Sequence, residues 1–470
     1  MFLGRRRELG QLNALFDERK FQLFILYGRR RVGKTALLKE FCRDKESIFY
    51  SAQLSNDKMN RDKFSALVLQ YYHSTDLHSF PAWENAFAFI AERQRDKRLV
   101  LVLDEFPYLA EKNPALLSSL QHIIDHTLTN SQIFLILCGS YLGFMEREVL
   151  GAKSPLYGRR TAQLQLKPFD YWESCEFLTG FTPEEQCMFY GALGGVPQYL
   201  AAVEPQKNFA ENMERLFLRP MGLLYEEPLF LLREEIQQPG IYNAVLSAIA
   251  GGATKANEIA GKTGEPVAKC LKYIQLLINL GLVCKETPFG EKESSRRSVY
   301  RLDDALFRFW YRYVLGGKTL IDSAAGKLLW AKQIEPNYSE YMGLTFEKIC
   351  REYLLRQNSQ GNLPFLFTGL GRWWGTDART KQQTEIDLVA TDNNNYLLAE
   401  CKWRNEKTDS RVLADLREKA AAYGKNSAPT WLALFAKSGF TDAVWQEAAH
   451  DKKLLLFDLP AIFGDSVTRF

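Results

Sequence analysis

The stretch Gly28-Arg29-Arg30-Arg31-Val32-Gly33-Lys34-Thr35 constrains this chain more than any other. It fits the spacing G-x-x-x-x-G-K-[ST], with an apolar run before it (residues 21–27) and a helical segment after it (residues 36–42). Glycine at both ends of the turn lets the backbone wrap an anion with its own N–H groups, and the N-terminus of the following helix adds a favourable dipole. Lys34 is placed to reach the β- and γ-phosphates of a nucleotide, and the Thr35 hydroxyl to ligate magnesium.

A second apolar run, residues 99–103, ends in Asp104-Glu105, and a third covers residues 133–138. Strand-length apolar runs separated by helical segments are the mark of buried parallel strands, so an α/β sheet is expected. The acidic pair then falls at the carboxyl edge of that sheet, where ligands bind in such folds. Asp104 is expected to hold magnesium, and Glu105 to orient or deprotonate the attacking water. ATP and Mg2+ are thus the expected cofactors, with ATP hydrolysis the reaction. Ser140, just after the third run, is either a helix cap or a sensor of the γ-phosphate.

The residues that flank these motifs resemble the archaeal-type ATPases of the STAND branch of AAA+ P-loop proteins. Phe2-Leu3-Gly4-Arg5-Arg6-Arg7-Glu8-Leu9 is similar to their N-terminal motif near the adenine. Gly194-Gly195-Val196-Pro197 resembles the GxP motif of their helical lid, which implies that Pro197 approaches the base. Arg159 and Arg160 fall where this group tends to carry basic residues; a role at the γ-phosphate and a plain surface pair both stay open.

The chain has 470 residues, enough for about three domains at roughly 150 residues each. A net charge of only +4 means that any nucleic-acid surface must be local. Eight scattered cysteines without a CxxC pair argue against a zinc ribbon or a disulfide framework. No signal-like segment opens the chain and no uncharged apolar run reaches about 18 residues, so no membrane association and a cytoplasmic location are expected.

Pattern changes along the chain divide it into a P-loop ATPase core at 1–170, a helical lid at 171–237 and a winged helix-turn-helix at 238–317. A connecting helical segment at 318–338 and a further α/β domain at 339–470 follow. In the third segment, helices at 241–250, 255–262 and 265–280 precede extended pieces at 282–285 and 298–302. The third of these helices opens with Glu265 and carries only Lys269 and Lys272, thin for reading a groove, so a packing role is the alternative to DNA binding.

In the last segment a helix near 339–356 leads to extended stretches at 385–390 and 396–403, joined by Thr391-Asp392-Asn393-Asn394-Asn395. A helix (409–423), a strand (430–436), another helix and a final strand (454–459) complete it. Alternation puts Glu400 and Lys402 on one face, and a hairpin brings Asp387 beside them. The pattern resembles the PD-(D/E)xK nuclease fold, with Ile386-Asp387 in place of Pro-Asp. That resemblance implies magnesium-dependent phosphodiester cleavage by Asp387, Glu400 and Lys402, with Glu347 completing the metal-binding carboxylates. The expected partners are ATP and DNA, with homo-oligomerisation left open. The alternative is a regulator, an ATP switch whose inactive nuclease fold only binds DNA or protein.

Three further features have bland readings beside sharper ones. His122 and His126 form an i, i+4 pair lacking the glutamate a zinc protease needs. The aromatic run Phe307-Arg308-Phe309-Trp310-Tyr311-Arg312-Tyr313 suits core packing or base stacking. Arg372-Trp373-Trp374, near the nuclease-like motifs, suits DNA contact or core packing of the tryptophans.

Overall fold

Three of the strands are buried along their whole length, which is why they read as continuous apolar runs. In the computed structural model, which describes residues 2–75, 77–94, 97–236, 238–424 and 428–464, five strands form one parallel sheet. They are β1 (Gln22–Tyr27), β2 (Ser47–Ser51), β3 (Leu99–Asp104), β4 (Ile133–Gly139) and β5 (Ala162–Gln165), ordered β2-β3-β4-β1-β5. This is an open parallel α/β sheet in which the loop after β1, a central strand, opens at the carboxyl edge. Segments 425–427 and 465–470 of the expected C-terminal domain, and residues 1, 76, 95–96 and 237, lie outside the described residues.

The helices Arg6–Asp17 and Lys34–Cys42 cover the sheet on one side, burying Leu12, Leu37, Leu38 and Phe41 against Phe24, Val102 and Phe134. Each buried leucine or phenylalanine contributes about 1.5–3 kcal/mol by leaving water. The sheet belongs to a compact unit made of the chain up to Phe169 together with Val196–Gln198.

A second compact unit holds Asp170–Gly195 and Tyr199–Phe470. Its first helices carry side-chain caps: Thr182 and Asn208 each close a capping box, worth about 1 kcal/mol apiece. The helix Pro183–Leu193 stops at Gly194, whose φ of 65° suits glycine. Three helices follow, Pro239–Ala250, Ala256–Thr263 and Val267–Asn279, and then a two-stranded antiparallel ribbon, β6 (Val283–Glu286) and β7 (Val299–Leu302). The aromatic run 307–313 is interior: Phe307, Phe309, Trp310, Tyr311 and Tyr313 are all buried, and Trp310 Nε1 donates to the Tyr225 carbonyl at 2.6 Å. That burial leaves no face for base stacking.

A 26-residue helix, Glu335–Gln360, leads into a mixed sheet of β8 (Gly369–Thr376), β9 (Gln383–Thr391), β10 (Tyr396–Lys402), β11 (Thr430–Ala436) and β12 (Leu454–Asp458). The strand order is β12-β11-β10-β9-β8, antiparallel from β8 to β10 and parallel from β10 to β12. The β9–β10 turn is tied by Asp392 Oδ1, which accepts from the Asn394 and Asn395 amides at 2.9 and 2.7 Å. Helix Ser410–Tyr423 crosses behind, capped by the Asp409 carboxylate and ended at Gly424. Trp373 packs against Tyr423, ring centroids 5.2 Å apart, so it serves the core.

Candidate functional sites

The P-loop leaves β1 at Gly28, where there is no room for a side chain. A Cβ there would sit 2.4 Å from the Leu166 carbonyl oxygen. Arg31 and Gly33 adopt left-handed backbone, φ 70° and 92°, which curls the loop onto the N-terminus of helix Lys34–Cys42. Arg29 and Val32 are buried, while Arg30 donates to the Tyr108 hydroxyl at 3.0 Å. Lys34, 5% exposed, turns its ammonium to the Gly28 and Arg29 carbonyls at 2.8 and 3.0 Å.

Thr35 Oγ1 donates to Asp104 Oδ2 at 2.9 Å, joining the loop to the end of β3. A hydroxyl and a carboxylate oxygen this close are a donor set suited to magnesium. The next residue, Glu105, has φ 51°, and its Oε1 accepts from Ser140 Oγ at 2.7 Å. A left-handed glutamate at a strand end is uncommon and costs backbone strain. That bond ties Ser140, at the end of β4, to the acidic pair at the end of β3.

Pro197 lies against the same loop: its Cγ is 3.6 Å from where a Cβ on Gly33 would stand. Arg5, only 4% exposed, was not singled out beyond its motif. It donates to the Val32 carbonyl at 3.1 Å and the Lys167 carbonyl at 2.5 Å, and its guanidinium stacks 4.0 Å from the Phe169 ring centroid. Arg159 forms a two-point ion pair with Asp125, both contacts 2.7 Å, and Arg160 donates to the Leu150 carbonyl at 3.0 Å. The rings of His122 and His126 lie 4.4 Å apart on the surface.

In the second unit, Asp387 and Glu400 are the next residues beyond the last β9–β10 pair, Leu388 with Ala399. Both are nearly buried, 6% and 2% exposed. Asp387 Oδ2 accepts from the Cys401 amide at 2.8 Å. Burial, and next the Glu400 charge, push the Asp387 carboxyl above its ordinary range. Burial and the charge of Asp387 do the same to Glu347. Among the described residues no group of three or more His, Cys, Asp or Glu is arranged to hold a metal ion. Asp387 and Glu400 alone still fit magnesium, which is commonly bound by one or two carboxylates plus the substrate's phosphate.

Lys402 pairs with Glu400 Oε1. Lys419, from helix Ser410–Tyr423, donates to both Glu400 oxygens at 3.1 and 2.9 Å. Sequence reading missed Lys419. The signal was there: it follows the buried Leu416 by three residues, so a lysine sits beside the apolar face of its helix. Arg372 belongs to the stretch expected either to touch DNA or to pack its tryptophans in the core. Its Nη2 donates to Glu385 Oε2 at 2.6 Å, and its Nε and Nη1 are buried without a hydrogen-bond partner.

Residues 2–203 match the family described as ATPase domain predominantly from Archaea, and residues 310–413 match Archaea bacterial proteins of unknown function. The uncharacterized protein MJECL04 of Methanocaldococcus jannaschii is 30% identical over 463 residues, 98% of this chain and 99% of that protein. The uncharacterized ATP-binding protein PYRAB06260 of Pyrococcus abyssi is 26% identical over 245 residues, 43% of this chain and 72% of that one. Among solved structures, the Walker-type ATPase paby2304 of Pyrococcus abyssi superposes with a TM-score of 0.52 at 19% identity, covering 66% of this chain and 96% of that one. Among the described residues no helix is long and apolar enough to cross a membrane.

Proposed function

Since the chain belongs to the family of MJECL04 and carries an ATPase domain of the predominantly archaeal type, we propose that it is an ATP-hydrolysing enzyme coupled to a metal-dependent nuclease-like module acting on DNA. The observation that carries the first half is the Thr35–Asp104 contact at 2.9 Å, with Lys34 and Glu105 adjoining in sequence. Lys34 holds the β- and γ-phosphates, Thr35 and Asp104 hold magnesium, and Pro197 approaches the base. Magnesium supplies charge neutralisation on the phosphates when bound. Glu105, held by Ser140, takes a proton from water as the water oxygen bonds to the γ-phosphorus. The bond from that phosphorus to the β–γ bridging oxygen breaks, giving ADP and phosphate.

The second half rests on Asp387, Glu400 and Lys402 at one end of a hairpin, a restriction-endonuclease-like arrangement with the helix bearing Glu347 behind it. Asp387 and Glu400 hold the cation; Lys402 offsets charge on the scissile phosphate. Water adds to phosphorus, one ester P–O bond breaks, and the leaving oxygen takes up a proton. We assign the ribbon and its three helices at 238–317 as a winged helix. The second reading is a regulator with an inactive nuclease fold. The pairing of Glu400 with two lysines favours it, because that carboxylate is already neutralised.

Glu105→Gln separates binding from turnover. The amide keeps size and polarity and loses the base, so ATP should bind as in the wild type. Hydrolysis should slow at least about tenfold, general-base catalysis being worth roughly 10²–10⁴. Phosphate release is the readout, and an unchanged rate in both Glu105→Gln and Asp104→Asn means the carboxylate pair was misassigned.

A further inference from the structure

A cleft of about 680 Å³ opens between the β6–β7 ribbon and the C-terminal sheet. Arg301 of β7 lines one wall; Arg372 and Trp374 of β8, Glu385 of β9 and Lys419 are among the residues that line the others, with the carboxylates of Asp377, Asp415 and Glu418. Lys419 also touches both oxygens of Glu400, so the cleft leads to the carboxylates.

The ribbon is fixed in place as that wall. The Phe289 amide, in the loop between β6 and β7, donates to the Arg372 carbonyl at 2.8 Å. The Phe289 ring packs on the C-terminal core and over Gly369 and Gly371, where added Cβ atoms would come within 3.0 and 2.7 Å of it. Arg297, further along the same loop, donates to the Trp374 carbonyl. A ribbon bound this way is a part of the cleft and not a free arm that reads a groove.

We propose that this cleft takes a single nucleic-acid strand and that the ribbon excludes a duplex. The inference rests on the nuclease-like reading only for the place of the scissile phosphate. Three observations carry it. The volume lies in the range of roughly 300–1,000 Å³ that holds one drug-sized molecule, which corresponds to about one or two nucleotides. A duplex, whose major groove alone is about 12 Å wide, is far larger than that volume. The buried Nε and Nη1 of Arg372, left unpaired by the protein, match phosphate oxygens, whereas Arg301 and Lys419 on the same walls are already paired, with Glu286 and with Glu400 and Asp415. Trp374, half-buried at the wall, offers a ring on which a base stacks regardless of sequence.

The test uses the full chain with fluorescent oligonucleotides of one sequence, single-stranded and as a blunt duplex, by anisotropy in low salt. Cleavage of both is followed in magnesium. The single strand should bind at least about tenfold tighter, and Arg372→Ala and Arg301→Ala should each erode that preference, with melting curves confirming that both variants fold. Equal binding of the two forms, or a preference that survives both substitutions, overturns the inference. A preference that responds to the substitutions without any cleavage upholds it and removes the nuclease reading. Cleavage of the duplex as fast as of the single strand overturns the inference and leaves the nuclease reading standing.

Discussion

Lys34→Ala is expected to weaken ATP binding about 100-fold, as judged by titration with a fluorescent ATP analogue. The lost ammonium makes two charge-assisted hydrogen bonds to phosphate oxygens in the proposed complex, together on the order of 3 kcal/mol, and about 1.4 kcal/mol is tenfold in affinity. The loop itself should survive. Lys34 bonds the Gly28 and Arg29 carbonyls in the structure, but the turn is also set by the left-handed Arg31 and Gly33 and by Arg5 holding the Val32 carbonyl. A melting temperature close to that of the wild type, with affinity lost, is therefore the expected pattern. Unchanged affinity means that the nucleotide does not sit on this loop.

Asp387→Ala should abolish metal-dependent cleavage, by at least about 10²-fold, because a metal ion supplies several kcal/mol of transition-state charge stabilisation. The same variant carries a stability signature. Asp387 and Glu400 repel each other when both are ionised, and burial raises the cost, so a bound cation stabilises the wild type. At 100 times its dissociation constant, the ion should add about 2.7 kcal/mol to unfolding. Melting curves with and without magnesium should therefore separate in the wild type and nearly coincide in Asp387→Ala. Equal metal stabilisation of both proteins means the cation binds elsewhere.

How legible these features were in the sequence follows from burial. β1, β3 and β4 are covered on both faces, so their apolar runs stood out. β2 alternates buried and half-buried residues at one sheet edge, and β5 is half-exposed at the other, so neither made such a run. β8 is an edge strand with three glycines among its eight residues, read only for its tryptophans. The P-loop chemistry is written in eight consecutive residues, whereas Arg5 and Ser140 act through contacts across the fold. Lys419 is 19 positions from Glu400, and the Arg301 wall depends on how the ribbon packs on β8. Contacts of that kind arise from tertiary packing, which no local spacing records. The aromatic run 307–313 shows the reverse case, where helical spacing suggested core and the structure buries it.

The two active centres proposed for this chain can be followed in a single reaction containing magnesium, ATP and labelled single-stranded DNA, assayed for phosphate release and strand cleavage together. The wild type should do both. Glu400→Ala should lose cleavage and keep ATP hydrolysis, because Glu400 belongs to the compact unit with its own core and not to the one that carries the P-loop. Cleavage that persists in Glu400→Ala, or ATP hydrolysis that falls with it, contradicts this assignment.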